Sequence, residues 1–233
     1  MKYCFPFNLR EVILSFALIV LTTSCGSNNN TNARFRLMDA SPGETSLTVT
    51  LNNVAFSSSV TYGTVSPYNF VTSGTTTLEI QGPDLLTGST TTLLNGSVTL
   101  NEATTYTAVA DNYPQDFGVT LYIDNNSLPA SGNFNLRIIN AAPGLGTVDV
   151  YVVAPGTNLD NVSPKVARLA FQAASAYLLI TAGTYEVYFT LAGQKRAYID
   201  SGPLAFNASQ VRTLVGLNGA SGAYTDAVLS DLN

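Results

Sequence analysis

Few side chains in this sequence are of the types that perform catalysis, and their spacing does not favour it. The 233 residues include no histidine and only two cysteines, Cys4 and Cys25. Without histidine there is no Ser-His-Asp triad and no imidazole general base. Neither Lys165 nor Lys195 has a serine three residues upstream to form a Ser-Lys dyad. The remaining alternative is a carboxylate pair of the kind that hydrolyses polysaccharides, but the carboxylates are scattered. The sequence therefore predicts that the protein is not an enzyme.

Oxygen ligands for a metal are also sparsely placed. Asp111 and Asn112 with Asp116, or residues 124–126, offer oxygens to calcium, but neither group has the spacing of a dedicated calcium loop. Such side chains more often bond the backbone of their own turn. The glycine-rich run 142–146 lies between two strand patterns, whereas a phosphate-binding loop precedes a helix. We expect no metal and no cofactor.

Tyrosines offer a different chemistry, namely contact with a sugar or with another protein. Tyr68 and Tyr177 occupy equivalent positions in an internal repeat, and we interpret them as parts of the fold whose phenols bond nearby backbone. A long loop at residues 154–165 is the better place for recognition, because loops on a rigid scaffold commonly carry it. The predicted interaction surface consists of Tyr151, Tyr188, Tyr198, Asn158 and Asp160.

The first 25 residues have the pattern of a lipoprotein signal peptide. Lys2 and Arg10 precede an apolar run at 12–21, which is too short to cross a bilayer and suits the core of a signal peptide. Thr-Thr-Ser-Cys at 22–25 follows the run and resembles the lipobox that lipoprotein signal peptidase cleaves before the acylated cysteine. We therefore predict that Cys25 is lipidated with fatty acid such as palmitate, and that the chain is anchored to a membrane of the cell envelope. In a Gram-negative host the outer membrane is expected, since Gly26 replaces the aspartate of inner-membrane retention.

The charge balance bears on partners. The chain has 10 Lys and Arg against 15 Asp and Glu, for a net charge of −5, and it has no basic cluster. Nucleic acid needs a positive surface to offset its phosphates, so we do not expect it as a partner.

An internal repeat sets the domain organisation. Residues 36–43 (RLMDASPG) match 137–144 (RIINAAPG), and residues 101–109 match 207–215. The loop at 154–165 makes the second copy longer. The predicted parts are a signal peptide at 1–24, a lipidated tether at 25–33, a first domain at 34–124, a linker at 125–133 and a second domain at 134–233.

Within each copy the apolar residues alternate, as Leu47, Val49 and Leu51 do, and turn residues interrupt them every 8–12 positions. This pattern predicts short antiparallel strands packed as a two-sheet sandwich. The fold class is therefore all-β, with two tandem Ig-like or transthyretin-like sandwiches. Residues 180–187 are predicted to form a tight hairpin in which Gly183 takes a positive φ, and a short helical turn is considered for 162–174.

The repeated motifs resemble those of the bacterial envelope family known as domain of unknown function 4397. The resemblance rests on Arg-x-x-x-x-Ala-x-Pro, on Val-Asp-Val-Tyr at 148–151 and on Ala-Gly-Thr-Tyr at 182–185. It implies an extracytoplasmic β-sandwich with no established activity. The histidine frequent in that family is replaced by Asp39 and Asn140 in the two copies, so a polar site built on it would be incomplete here.

These observations together predict a non-catalytic, membrane-anchored envelope protein that binds protein or glycan at the cell surface. A structural subunit that spaces a larger envelope assembly is the alternative. A carboxylate-based polysaccharide hydrolase is the least favoured of the three.

Overall fold

The structure, a computed structural model, describes residues 31–84 and 87–232 and is almost entirely β. The first half contains β1 (Asn32–Asp39), β2 (Ser46–Leu51), β3 (Val54–Thr61), β4 (Asn69–Thr72), β5 (Gly74–Pro83), β6 (Thr90–Leu100), β7 (Thr105–Asp111) and β8 (Gly118–Ile123). The second half contains β9 (Asn133–Asn140), β10 (Val148–Val153), β11 (Val166–Leu169), β12 (Leu178–Thr181), β13 (Gly183–Leu191), β14 (Ala197–Asp200), β15 (Leu204–Phe206), β16 (Val211–Asn218) and β17 (Tyr224–Ser230). Short 3-10 turns lie at Pro114–Asp116, Leu159–Asn161 and Ala220–Gly222.

Residues 1–24, predicted as a signal peptide, and Cys25 lie outside the described residues. The predicted tether is two residues too long, because β1 already begins at Asn32 and Ala33 is fully buried. None of the helices formed by residues 31–84 and 87–232 has the length and apolar character needed to cross a bilayer.

The same strand order occurs twice. In the first half one sheet has the order β4-β1-β7-β8 and the other β3-β2-β5-β6. In the second half the orders are β12-β9-β16-β17 and β11-β10-β13-β14, with β15 paired to β13. We call the sheets that contain β1 and β9 the inner sheets, and the other two the outer sheets. An all-β fold of sandwiched antiparallel sheets is thus confirmed, although β1 pairs with β7, and β9 with β16, in parallel.

Because successive side chains of a strand point to opposite faces of its sheet, the apolar residues form three separate cores. On β1, Phe35 and Leu37 face the outer sheet of the first half, and on β9 Leu136 and Ile138 do the same in the second half. The side chains between them point the opposite way and meet across the two halves. This middle core contains Met38, Ala40, Val109, Tyr122, Ile139, Ala141, Val215, Leu217 and Leu229. Because this core contains residues of both inner sheets, the inner sheets pack face to face and the four sheets form four layers. Burial of each large apolar side chain stabilises this packing by roughly 1.5–3 kcal/mol.

The strands give each inner sheet two distinct ends. We call the end where β1 and β9 begin, and where β8 and β17 finish, the base. The tip is the opposite end, where β1 and β9 finish at Asp39 and Asn140.

Contacts between the halves show that the two bases lie together, as do the two tips. Near the base, Arg36 Nη1 donates to the carbonyl of Ser230 (2.6 Å) and Arg137 Nη1 donates to that of Ile123 (3.1 Å). At the tip, the hydroxyl of Tyr62 donates to the carbonyl of Asn218 (2.5 Å). The chain enters the described region at Thr31, whose carbonyl accepts from the backbone N–H of Ser73 beside the start of β1. The base is therefore the end at which the N-terminal segment arrives.

Two local predictions were wrong. Residues 180–187 do not form a hairpin, because β12 pairs with β9 in the inner sheet while β13 pairs with β10 in the outer one. The chain changes sheets here, and Gly183 has no positive φ, whereas its counterpart Gly74 has φ +111°. The helical turn considered for 162–174 is instead the edge strand β11, preceded by the 3-10 turn at Leu159–Asn161.

Candidate functional site

Tyr151 does not belong to an interaction surface, contrary to the sequence-based prediction. It lies on the outer face of β10 but is only 2 % exposed. The ammonium group of Lys195 lies 4.8 Å from the centre of its ring and donates to the carbonyl of Val162, in the long loop. Backbone N–H of Lys165 also bonds the carbonyl of Val150 (2.8 Å). These contacts hold the long loop against this part of the sheet, and the Lys195 side chain covers the ring of Tyr151.

The other predicted residues are at least partly accessible, but they do not form one group. Tyr188 is the cross-strand neighbour of Tyr151, and its hydroxyl donates to Glu186. That hydrogen bond raises the pKa of Tyr188 to about 12 and lowers the pKa of Glu186, which also accepts the N–H of Gly156. Tyr198 packs on the core of the second half instead, edge-on to Tyr224 at 6.1 Å.

Asn158 and Asp160 lie exposed in the long loop, and the Asn158 side chain caps the turn by accepting from the N–H of Asp160 (2.9 Å). The long loop that carries Asn158 and Asp160 contacts Glu186 of β13 through Gly156, whereas Tyr198 packs on the core. Their role in binding remains a prediction.

The oxygens considered for calcium have protein partners. Asp111 accepts from Gln172 (2.7 Å) and Thr120 (2.8 Å). Asp124 accepts from Arg137 (2.5 Å) and Thr107 (2.6 Å). Within residues 31–84 and 87–232, no three His, Cys, Asp or Glu side chains are grouped so that they could hold a metal ion.

Two buried carboxylates join the halves in a reciprocal manner. Asp231, which follows β17, accepts hydrogen bonds from Arg36 of the first half (2.5 Å) and from Thr213 of its own half (2.6 Å). In the equivalent arrangement, Asp124, which follows β8, accepts hydrogen bonds from Arg137 of the second half (2.5 Å) and from Thr107 of its own half (2.6 Å). All four charged side chains are 3 % exposed or less.

A tyrosine completes each cluster. Tyr68 donates to Asp124 (2.7 Å) and Tyr177 donates to Asp231 (2.8 Å), and burial raises the pKa of both phenols well above their ordinary value. The Arg36 guanidinium lies 4.2 Å above the ring of Tyr68. The two tyrosines are confirmed as parts of the fold, but carboxylates rather than the predicted backbone groups are their main partners. We call the eight side chains Arg36, Tyr68, Thr107, Asp124, Arg137, Tyr177, Thr213 and Asp231 the reciprocal network.

The tip carries a groove where the halves meet. It is open, measures about 490 Å³, and is lined by Pro42, Gly43, Glu44, Thr45, Thr61, Tyr62, Asn218, Gly219 and Ala220. The first half supplies its wall from the loop after β1 and the end of β3, and the second half from the turn after β16. Tyr62 and Asn218 close the junction by the hydrogen bond given above, and Asn218 Nδ2 donates to the hydroxyl of Tyr113 (2.9 Å).

Polar atoms without partners are concentrated at this tip. In the part of the chain that the structure describes, three buried side-chain oxygens lack a hydrogen-bond partner: Asp39 Oδ2, Glu44 Oε2 and Asn218 Oδ1. Buried polar atoms are nearly always hydrogen-bonded in proteins, so such a group calls for an explanation. Two of the three belong to residues that line the groove, and all three are acceptors when the carboxyls are ionised. Asp39 does not line the groove, so a ligand bound there could offer N–H or O–H donors only to Glu44 and Asn218.

The carboxyl of Asp39 lies behind the groove wall in an unfavourable place for a charge. The pKa of Asp39 is raised to about 7, mainly by burial; the N–H of Ser41 (3.0 Å) acts to lower it and the nearby Glu44 carboxylate acts to raise it. Burial also raises the pKa of Glu44, whose carboxylate is accommodated against Gly82, where a Cβ would lie 2.5 Å from Oε2. Glu44 was not among the residues predicted from the sequence. The sequence signal that pointed to this end of the molecule was that the first copy has Asp39 where the second copy has Asn140.

Comparison with solved structures gives distant likenesses only. The TIE protein of Bacillus anthracis matches at 10 % identity and a TM-score of 0.25, with 84 % of this chain and 34 % of that chain covered. The chain therefore spans about a third of the length of the Bacillus protein. A candidate cell adhesion protein of Bacteroides fragilis matches at 13 % identity and a TM-score of 0.23, with 79 % and 82 % covered. No curated protein matches the chain.

Comparison with family models is more informative. One model, described as a domain of unknown function (DUF4397), matches residues 33–151. This stretch is just over half of the chain and runs from the start of β1, through the whole first half, into β10. The chain belongs to the DUF4397 family.

Proposed function

We propose that this protein is a non-catalytic lipoprotein of the cell envelope, anchored through Cys25, whose tip groove binds a glycan or a protein at the cell surface. The repeated strand order supports two tandem copies of the family domain, one formed by β1 to β8 and the other by β9 to β17. The observation that carries the binding role is the set of unpartnered acceptors at the tip, two of which belong to Glu44 and Asn218 in the groove.

The position of the groove supports this proposal. The chain arrives at the base, beside Thr31 and Ser73, and the groove lies at the opposite end of the inner sheets. An anchor at Cys25 would therefore hold the groove away from the lipid, where a partner can approach it.

The chemistry of the groove favours a glycan as the first ligand class to test. Sugar hydroxyls supply the donors that Glu44 Oε2 and Asn218 Oδ1 lack, and the half-buried ring of Tyr62 offers an apolar face beside them. A protein partner would meet the same acceptors with backbone or side-chain N–H groups.

Removal of Glu44 is expected to weaken ligand binding. The soluble Cys25→Ala chain is applied to an array of bacterial envelope glycans, and the retained glycan is titrated against it and its Glu44→Ala variant. A hydrogen bond to a charged group contributes about 1.5–3 kcal/mol, so affinity should fall by about tenfold or more. Glu102→Ala, which removes an exposed carboxylate at the base, is the control and should bind normally. An array without any retained glycan, or equal losses in both variants, would contradict the glycan role.

The anchor has an internal control in the second cysteine. In cells fed a radioactive or clickable fatty acid, the wild-type chain and a Cys4→Ala variant should both take up label and sediment with membranes. The Cys25→Ala variant should lose both, because the thiol that accepts the lipid is gone, and doubly or triply acylated chains are needed for durable anchoring. Label retained by the Cys25→Ala variant would refute lipidation at this residue.

A structural role is the second candidate, and the reciprocal network favours it. Each half supplies an arginine that pairs with a buried aspartate of the other half. These two ion pairs hold the halves in one orientation, as a spacer in an envelope assembly would require. Other subunits that co-purify with the chain in fixed stoichiometry would support this role over ligand binding.

A further inference from the structure

Exposed apolar side chains collect at the base of the molecule. Seven large hydrophobic side chains are exposed among residues 31–84 and 87–232, and five of them are between 59 and 69 % exposed. These five are Val54, Phe70, Ile123, Leu128 and Leu179. The two less exposed ones are Tyr113, at the tip, and Val228, within β17.

Strand register assigns the five to the base. Phe70 pairs with Arg34 near the start of β1, and its counterpart Leu179 pairs with Asn135 near the start of β9. Ile123 ends β8, and Leu128 lies in the connection from β8 to β9.

Val54 lies at the same end as Phe70, because the two line a common cleft of about 440 Å³ between β3 and β4, with Phe56 partly buried inside it. Both strands are sheet edges, so the cleft is open along its length.

The N-terminal segment arrives beside this cleft. The Ser73 hydroxyl donates to the carbonyl of Thr31 (2.6 Å), and Asn32 pairs with Thr72, which itself lines the cleft. Only five residues lie between Cys25 and Thr31, so the two are six Cα–Cα steps apart. A fully extended chain of that length spans about 20 Å, so a lipid attached at Cys25 would keep the base next to the membrane surface.

We propose that the base is a membrane-docking face, in which Phe70 and Leu179 enter the interfacial region of the bilayer that holds the anchor. This inference rests on the proposed lipidation of Cys25. Apolar side chains gain by leaving water for the acyl boundary. The Arg34 guanidinium lies 6.0 Å from the centre of the Phe70 ring. Because the five most exposed side chains are apolar, docking should depend on their insertion and should persist in vesicles of uncharged lipid at high salt.

The absence of cysteine from residues 31–84 and 87–232 permits a direct test. Phe70→Cys and Leu179→Cys variants of the full lipidated chain are labelled with an environment-sensitive fluorophore and reconstituted into phosphatidylcholine vesicles. A Tyr113→Cys variant, labelled in the same way, is the control at the tip. All three side chains are exposed, so the labels leave the cores intact, which far-UV circular dichroism checks.

We expect labels at 70 and 179 to shift to the blue on reconstitution, to lose quenching by aqueous iodide and to gain quenching by lipid-borne nitroxide. The label at 113 should show none of these changes. Equal iodide quenching at 70, 179 and 113 in vesicle-bound protein would overturn membrane docking while leaving lipidation intact. Failure of the chain to float with vesicles would overturn both. Concentration-dependent protection at 70 and 179 without vesicles would overturn docking in favour of contact with a second copy.

Discussion

Replacement of Asp231 by Asn is expected to lower the free energy of unfolding by about 3–5 kcal/mol, because it leaves the Arg36 guanidinium buried without its counter-ion. The amide keeps the shape of the carboxylate, so the loss reports the charge and not a cavity. Asp124→Asn should cost about as much, since Asp124 holds Arg137 in the equivalent place. Chemical denaturation of the soluble Cys25→Ala chain, followed by circular dichroism, gives both values.

The exposed loop carboxylate Asp160 provides the control. Asp160→Asn should change the free energy of unfolding by less than about 0.5 kcal/mol, as is usual for surface positions. In a double-mutant cycle, Arg36→Met combined with Asp231→Asn should cost less than the sum of the two single changes by about 1–3 kcal/mol. Additive losses, or an Asp231→Asn variant as stable as the control, would mean that the buried pair does not hold the halves together.

Asp39→Asn is expected to stabilise the protein above pH 7 and to have little effect near pH 4. The folded state holds the pKa of Asp39 at about 7, above its ordinary value of 3.8, because the carboxyl is buried. Between these two pH values the folded protein binds more protons at Asp39 than the unfolded chain does, so this residue's contribution to stability falls as pH rises and is lost above pH 7. The amide cannot ionise, and the gain at pH 8 should be on the order of 4 kcal/mol.

The second half already shows the uncharged arrangement. At the equivalent position Asn140 accepts the N–H of Ala142 (3.3 Å) and donates to the carbonyls of Gly146 (2.7 Å) and Leu169 (3.3 Å). The measurement is the difference in unfolding free energy between wild type and Asp39→Asn from pH 4 to pH 8, which cancels the titration of other groups. Asp116→Asn, an exposed turn carboxylate, should give a flat difference. A flat difference for Asp39→Asn as well would show that its carboxyl titrates normally.

Repetition and alternation in the sequence were sufficient to predict the fold class. The match of residues 36–43 with 137–144 falls on β1 and β9 and the loops that follow them, and the repeated sheet order has the same origin. Leu47, Val49 and Leu51 all face the core of the first half, as their period of two predicts.

Properties that depend on contacts between distant residues could not be predicted in this way. Tyr151 alternates correctly with Val150 and Val152 and so belongs to the outer face, but the covering Lys195 comes from a turn far along the chain. Asp124 and Asp231 each follow a strand and resemble ordinary loop carboxylates. Their partners Arg137 and Arg36 lie in the opposite half, and no local pattern encodes such a pairing. The break in the predicted hairpin at Gly183 has the same cause, since the sheet that each strand joins is decided by packing.

The exchange of arginines between the halves has the geometry of a twofold homodimer, in which one patch meets its own equivalent. A molecule with one such copy would have to find a second molecule in solution to bury Arg36, and its stability would rise and fall with its abundance. The connection between Ile123 and Asn133 turns that encounter into an intramolecular event at a fixed effective concentration. Folding of this chain should consequently be as complete in a very dilute sample as in a concentrated one.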